Sequence, residues 1–368
     1  MSWRLAIGLP LLLGGAAWLG QAQGWRQAAL WLIGAALGAT LLHARFGFTA
    51  AYRRLLLERR GMAVRAQLLL IGLCVLAFQP MLAADAGMRG FVFPVGWALL
   101  LGAFLFGVGM QLGGGCGSGT LYAVGGGVPR MGLTLLAFIG GATLAAWQSD
   151  IWTAWPAMPP MALPGALPGS LVALGIAWWA SVAWEKSRHT TVQLIPWSGG
   201  HIWRGPWPLG WGAVVLAGLS ALTLWVAGRP WAITAAFPLW GSHAVAALGW
   251  DDPSFWPFWE DPTRVEAWLR PLYADRISVM DVGLMLGAMV AAGLAGSRGW
   301  RWPRGGEVLA SLLGGVLLGV GAVLATGCNI SAFLGGVASG SLHGWVWIGP
   351  ALLGNALGAW LRPAFKLD

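Results

Sequence analysis

The sequence predicts an all-α polytopic membrane protein, an inverted repeat of two halves with about nine to ten transmembrane helices and with re-entrant or broken helical loops. Three observations carry that prediction. The 368 residues are 57% hydrophobic and only 10% charged, with 27 Trp, 58 Gly and a mean hydropathy of +0.68, a balance foreign to water-soluble domains. Apolar stretches near the roughly 20 residues needed to cross a hydrocarbon core recur from end to end. Two glycine-rich stretches, "GAFLFGVGMQLGGGCGSGTLYAVGGG" at 102–127 and "GGVLLGVGAVLATGCNISAFLGGVASG" at 314–340, repeat one pattern around a cysteine.

Ten spans are expected, at residues 3–20, 25–42, 66–84, 94–112, 131–148, 169–184, 209–227, 277–296, 307–325 and 342–361. The first lies in "MSWRLAIGLPLLLGGAAWLGQAQGW". Its apolar run is long and no small-x-small cleavage site follows, so it reads as a retained span and not a signal peptide. The third, containing "LLLIGLCVLAF", carries Cys74 as a small buried hydrophobe. After the fifth comes "PAMPPMALPGALP", 156–168, the natural linker between a first transmembrane repeat, 1–155, and a second, inverted one, 169–368. No polar stretch is long enough for a separate soluble domain, so the whole chain is one membrane domain. Trp and Tyr crowd the span ends, as in "DIWTAWPAMPP" and "SFWPFWEDP", and are read as headgroup-level anchors.

A pI near 10.7 would suggest nucleic acid in a soluble protein, but here basic residues lie between apolar spans and set topology. With the N-terminus inside, the inner side holds Arg4, Arg45, Arg53, Arg54, Arg59, Arg60, Arg65, Arg130, Lys186, Arg188, Arg204, Arg298, Arg301, Arg304, Arg362 and Lys366, which is 16 of the 22 basic residues. Arg26, Arg89, Arg229, Arg264, Arg270 and Arg276 fall outside, the last three in a segment rich in Asp, Glu and Trp. That asymmetry predicts cytoplasmic N- and C-termini.

The same topology makes the repeat an inverted one. Thr49-Ala50-Ala51-Tyr52 matches Thr234-Ala235-Ala236-Phe237, and each half then reaches G-x-G-x(5)-G-C. The first TAA segment falls on the inner side and the second on the outer; the span before Cys116 runs inward and the span before Cys328 outward. "TAAYRRLLLERRG" is too short and charged to cross, and "GGGCGSG" has too many glycines for an unbroken helix. Both read as broken or re-entrant helices, which membranes tolerate only where protein buries them or a polar cavity hydrates them.

Around Cys116, Gly115 and Gly117 let backbone approach closely, Ser118 and Thr120 supply hydroxyls, and a helix start aims N–H groups at one point. Thr326, Gly327, Cys328, Asn329 and Ser331 supply similar groups in the second copy. Neither loop carries Arg or Lys, so an anion would be held through partial charges, weakly enough to leave. A thiol donates hydrogen bonds less well than Ser but is soft and polarizable, which favours a soft solute such as a sulfur or selenium oxyanion. The plain alternative, Cys as a small helix-packing residue, fits Cys74 better than the matched pair. A two-cysteine metal site lacks further ligands, Met110 and His343 being at no ligand spacing. Residues 90–129 contain no Asp, Glu, Lys, Arg or His, which argues against an enzyme using nucleophilic thiol chemistry. No embedded carboxylate marks a proton relay, so the coupling mode stays open. A channel for small neutral solutes and a membrane sulfurtransferase holding a Cys116 persulfide remain as alternative classes.

The residues "GVGMQLGGGCGSGTLY" and "GVGAVLATGCNISAFLGGVASGSLHGW", each preceded by a TAA segment, resemble the YeeE/YedE sulfur-transport family from about residue 30 to 361. The resemblance implies an inner-membrane protein of pseudo-symmetric halves whose short helical loops meet near the membrane centre. It implies uptake of thiosulfate, handed between cysteines through transient S–H···S contacts, with no cofactor and often with a TusA-like sulfur-carrier protein on the cytoplasmic side; some relatives are linked to selenium. Cys116 and Cys328 occupy the two motif cysteines, and Thr49 and Thr234 the TAA segments. Many relatives carry a further cysteine in the first TAA-like segment, whereas "RFGFTAAYRR" has none. Arg53 and Arg54 follow that segment, either setting topology or drawing an anion toward the exit.

Overall fold

The computed structural model describes residues 3–84, 87–262, 264–296 and 301–367; Arg298, expected on the inner side, lies outside them. The chain is a helical bundle of α1 (Trp3–Ala22), α2 (Trp25–Ala44), α3 (Phe48–Arg53), α4 (Met62–Ala83), α5 (Trp97–Gly113), α6 (Gly117–Gly125), α7 (Pro129–Trp147), α8 (Ser149–Thr153), α9 (Ala166–Lys186), α10 (Leu209–Ala227), α11 (Ala236–Ala247), α12 (Pro257–Glu260), α13 (Val265–Leu269), α14 (Arg276–Leu294), α15 (Gly305–Leu324), α16 (Gly335–Ala338) and α17 (Leu342–Leu361). π-helical turns at Arg54–Glu58 and Asn329–Leu334 extend α3 and precede α16. Among the described residues, nine segments are long and apolar enough to cross a membrane. The tenth long helix, α17, is 20 residues interrupted by Pro350. This is an all-α polytopic membrane protein.

Helix ends fall where the backbone changes hand. Gly114 at φ +89° closes α5 and Gly228 at φ +70° closes α10, a conformation open to glycine without Cβ strain. Pro129 starts α7, where its missing N–H costs no helical bond.

Small residues set the packing. In membranes, helices associate by close van der Waals fit, which glycine and alanine allow. A Cβ on Gly38 would fall 2.0 Å from the Leu284 carbonyl oxygen, one on Gly287 1.9 Å from that of Ala35, and one on Gly354 2.0 Å from that of Phe104. Along these contacts α2 runs parallel to α14, α5 to α17 and α7 to α15. By contrast Gly102 meets Ala325 while Gly109 meets Leu318, so α5 and α15 cross antiparallel.

The neighbour relations are two-fold. Exchanging α1–α7 with their counterparts α9, α10, α11, α14, α15, α16 and α17 turns the α2/α14 contact into α10/α4, α5/α17 into α15/α7, α1/α14 into α9/α4, α6/α14 into α16/α4 and α7/α11 into α17/α3, while α5/α15 and α2/α10 map onto themselves. Five long helices precede the 148–165 segment and five follow it. The counterparts α5 and α15 run antiparallel where they cross.

The Pro-rich stretch 156–168 is pinned to the bundle: Ala157 and Met158 pair antiparallel with Gly96 and Val95, and Leu163 and Met161 bond to Gly340 and Leu342. Not all tryptophans are anchors, since Trp231 and Trp347 are fully buried in the core, although Trp179 and Trp360 are more than 70% exposed.

The outlying helix α9 is fixed to α4 by a buried ion pair. Arg65 Nη2 donates to Glu185 Oε2 at 2.7 Å, and the same carboxylate accepts from the Gly61 and Gln193 amides. Removing one partner of such a pair strands the other charge, at a cost of about 3–5 kcal/mol. Glu185→Gln is therefore expected to lower unfolding stability in detergent by that amount, measured by denaturant titration. Gly287→Ala will depress the yield of folded protein on size exclusion, whereas Gly349→Ala, with nothing within 4 Å of the new Cβ, will not.

Candidate functional site

The two cysteine loops are built alike. After α5 the chain turns at Gly114, and Cys116, in extended conformation, caps the start of α6. The Thr120 amide donates to the Cys116 carbonyl at 2.8 Å, the Cys116 Sγ lies 3.4 Å from Ser118 Oγ, and the Gly119 and Phe48 amides also point at that sulfur. Gly115 must be glycine-sized, since a Cβ there would come within 3.0 Å of the Thr120 amide. After α15, Thr326 at φ +58° and Gly327 at φ +145° make the corresponding turn, and a Cβ on Gly327 would lie 2.2 Å from Ser331 Oγ. Cys328 caps the π-helical turn: its amide donates to Ser331 Oγ at 3.0 Å, while the Ile330 amide and the Ser331 hydroxyl donate to its sulfur.

The loops meet. A Cβ placed on Gly117 would stand 3.3 Å from Cys328 Sγ and 3.1 Å from Thr234 Cγ2. Cys116 and Cys328 are 1% and 0% exposed, so the first cysteine's neighbour lies directly against the second cysteine. Thr234, two residues before α11, is wedged into that junction.

The first TAA segment closes the group from the other side. Gln111 Nε2 donates to the Thr49 carbonyl at 3.0 Å and to Asn355 Oδ1 at 2.7 Å, and Arg362 Nη1 donates to the Gln111 carbonyl. Asn329 Nδ2 then donates to the Tyr52 hydroxyl at 3.2 Å, joining α3 to the second cysteine loop. Its repeat counterpart, Phe237, offers no hydroxyl and stacks edge-on against Phe138 at 4.7 Å.

Several polar atoms of the loops lack partners. Thr49 Oγ1, Thr120 Oγ1, Thr326 Oγ1 and Asn329 Oδ1 are all buried without a hydrogen-bond partner, an arrangement that folded interiors avoid unless a solute or water completes it. All twelve residues singled out from the sequence, from Thr49 to Ser331, lie in these loops and the segments touching them. Tyr52, Gln111 and Asn355 were not singled out; an amide or hydroxyl within an otherwise apolar span was the available signal.

A cavity of about 230 Å3 reaches this junction. Thr234, Thr326, Gly327 and Ser331 line its deep end, Phe91 and Phe93 one wall, and Arg229, Arg264, Arg276 and Asp275 its mouth. The 250–276 segment forms the roof: Trp256, Phe258 and Trp259 cluster with Leu239 and Ala146, and the Arg264 guanidinium sits 4.2 Å over the Phe258 ring. Burial lowers Arg264 from the ordinary arginine value while Asp261 opposes the shift, and an arginine so placed keeps its charge. The cavity wall there carries three guanidinium groups and the Asp275 carboxylate, with Asp261 paired to Arg264 at 3.8 Å beside it.

The interior is not free of carboxylates, contrary to the sequence expectation. Asp281 in α14 is fully buried, and "SVMDVG" showed it within the eighth expected span. Cys74 lies apart from the loops, beside Ser220 of α10.

A cavity that runs from a charged mouth, between largely apolar walls, to two buried loops of a helical bundle is the geometry of a multi-pass membrane transport protein. The chain belongs to the sulphur-transport family, whose model matches residues 43–357. It is 27% identical over 353 residues, 90% of this chain and 97% of the relative, to the thiosulfate transporter TsuA of Spirochaeta thermophila. It is also 30% identical over 165 residues, 42% of this chain and 37% of the relative, to the probable transporter YedE of Escherichia coli, and 32% identical over the same length to YedE of Salmonella typhimurium.

Because Gly117 separates the two thiols, Gly117→Ala is expected to leave the bundle folded but cut the initial rate of sulfur-compound transport at least tenfold, measured with purified protein in vesicles.

Proposed function

We propose that the chain is an inner-membrane permease that takes up thiosulfate, or a similar small soft sulfur oxyanion, through the paired Gly–Cys loops. The observation that carries this reading is the contact between the loops at the deep end of a cavity with an arginine-rich mouth. The similarity to the thiosulfate transporter TsuA along nearly its whole length supports thiosulfate as the solute.

The residues suggest how an anion would move. Arg229, Arg264 and Arg276 draw it into the mouth and offset part of the energy of leaving water. Deeper in, no fixed positive charge lines the path; Thr326 and Ser331 hydroxyls, Thr120 and the two thiols replace water ligands with weak donors. Weak donors matter because a solute held by fixed charge in a low-dielectric interior would not leave. The anion passes from the Cys328 thiol across Gly117 to the Cys116 thiol by exchanging hydrogen bonds, with no covalent bond formed.

In this reading residues 1–155 and 169–368 are inverted halves, with both termini cytoplasmic. Arg53 and Arg54 mark the inner exit, where a TusA-like carrier protein would receive the sulfur. The relay has two thiols, Tyr52 standing in the segment where a third would be.

Cys116→Ala or Cys328→Ala is expected to abolish thiosulfate-dependent growth of a strain lacking its own uptake system, with Cys74→Ala growing as wild type. Normal growth of both loop variants would overturn the reading. Radiolabelled thiosulfate uptake into proteoliposomes, with sulfite and selenite as competitors, identifies the preferred anion.

A further inference from the structure

Asp281 has no part in the path described so far, yet it occupies a costly position. It lies five residues into α14, about 7–8 Å from the outer helix start at 1.5 Å per residue. Its side chain is 0% exposed, and neither carboxylate oxygen has a hydrogen-bond partner. An ionised carboxylate in such surroundings is strongly disfavoured; the group carries a proton there or meets a cation.

Its helical position places it beside the transport machinery. One turn outward on the same face, Ile277 lines the cavity and Ser278 accepts from Trp240 Nε1 of α11 at 2.8 Å. One turn inward, the Met285 backbone abuts Gly125 of α6. Asp281 thus stands between the helices that follow Thr234 and Cys116, with Met280 as its neighbour in the cavity wall.

The other ionisable groups on the elements around α14 are engaged elsewhere. Arg4 of α1 lies against Gly127. On α2, Arg26 sits over Trp25 and His43 against Trp207. On α11, His243 stacks on Trp268. Tyr273 meets Trp18 edge-on, Asp275 accepts from Ser278, and Arg276 donates to the Ala227 carbonyl. Cys116 and Tyr122 of the α6 segment are the remaining ionisable groups, and both are neutral in their ordinary state. None of these supplies Asp281 with a cation.

We propose that Asp281 is a proton-carrying site that couples entry of the anion to entry of protons, an inference resting on the permease reading. An anion moving toward a negative interior is opposed by the membrane potential. A carboxylate that loads a proton from the outer cavity, stays neutral while α14 is closed on α6 and α11, and releases it inward moves positive charge with the anion. No covalent chemistry is involved; each cycle carries one proton on Asp281 Oδ.

The test uses the full-length protein in proteoliposomes and radiolabelled thiosulfate. With one proton per anion, a gradient of one pH unit, acid outside, raises wild-type steady-state accumulation about tenfold. Asp281→Asn keeps equilibrium exchange of labelled for unlabelled thiosulfate but loses that response, and Asp281→Glu retains it. A response in Asp281→Asn equal to wild type overturns the proposal, as does wild-type uptake that follows a sodium gradient and ignores pH. Should the Asn variant fail to fold, a pH-sensitive dye trapped in wild-type vesicles decides: thiosulfate added outside acidifies the interior, and an unchanged interior pH overturns the coupling. Absence of thiosulfate entry under every gradient sinks the permease reading and this inference with it, whereas entry without proton movement sinks this inference alone.

Discussion

The close crossing of α5 and α15 is the constraint from which the site follows. Gly102 faces the Ala325 amide and Gly321 carbonyl, and Gly113 and Gly314 approach backbone to backbone. Only residues without side chains let two helices run this near, and in a membrane that fit must supply the association energy. Because the helices are antiparallel, the chain leaves them at opposite ends. Each exit turns back toward the middle through a left-handed turn, Gly114 in one case and Thr326-Gly327 in the other. The two cysteine loops meet because the helices that deliver them are packed backbone to backbone.

Charge is distributed to complement this arrangement. Guanidinium groups stand at the mouth of the cavity, whereas its deep end offers the hydroxyls of Thr234, Thr326 and Ser331. Attraction at long range and weak retention at short range are separate tasks in a low-dielectric path, and different residues perform them. The 250–276 segment contributes to that division by setting the Arg264 guanidinium 4.2 Å over the Phe258 ring.

Much of this was legible in the sequence. Span number, the break at "GGGCGSG" and the pairing of the two motifs came from hydropathy and repetition, which depend on local composition. The convergence of Cys116 and Cys328 was inferable from opposite span directions, because charge bias sets direction. What stayed hidden depends on partners far apart in the chain. Tyr52 meets Asn329 across 277 residues and Gln111 meets Asn355 across 244, and no periodicity announces such bonds. The cavity mouth gathers Arg229, Arg264 and Arg276 from three segments, so charge counting placed them on one side without bringing them together. Asp281 was visible but hidden in plain hydropathy, since one carboxylate barely lowers the average of an apolar span.

The departure from two-fold symmetry at Tyr52 and Phe237 has a directional meaning. Two inverted halves of identical chemistry would give a path that looks the same from either face, with equal wells for a solute arriving from inside or outside. One hydroxyl, tied to Asn329 on one side of the pseudo-two-fold relation and replaced by a phenyl ring on the other, removes that equivalence. A duplicated scaffold thereby presents two chemically unlike sides: a buried hydroxyl in one half stands where the other half packs ring against ring.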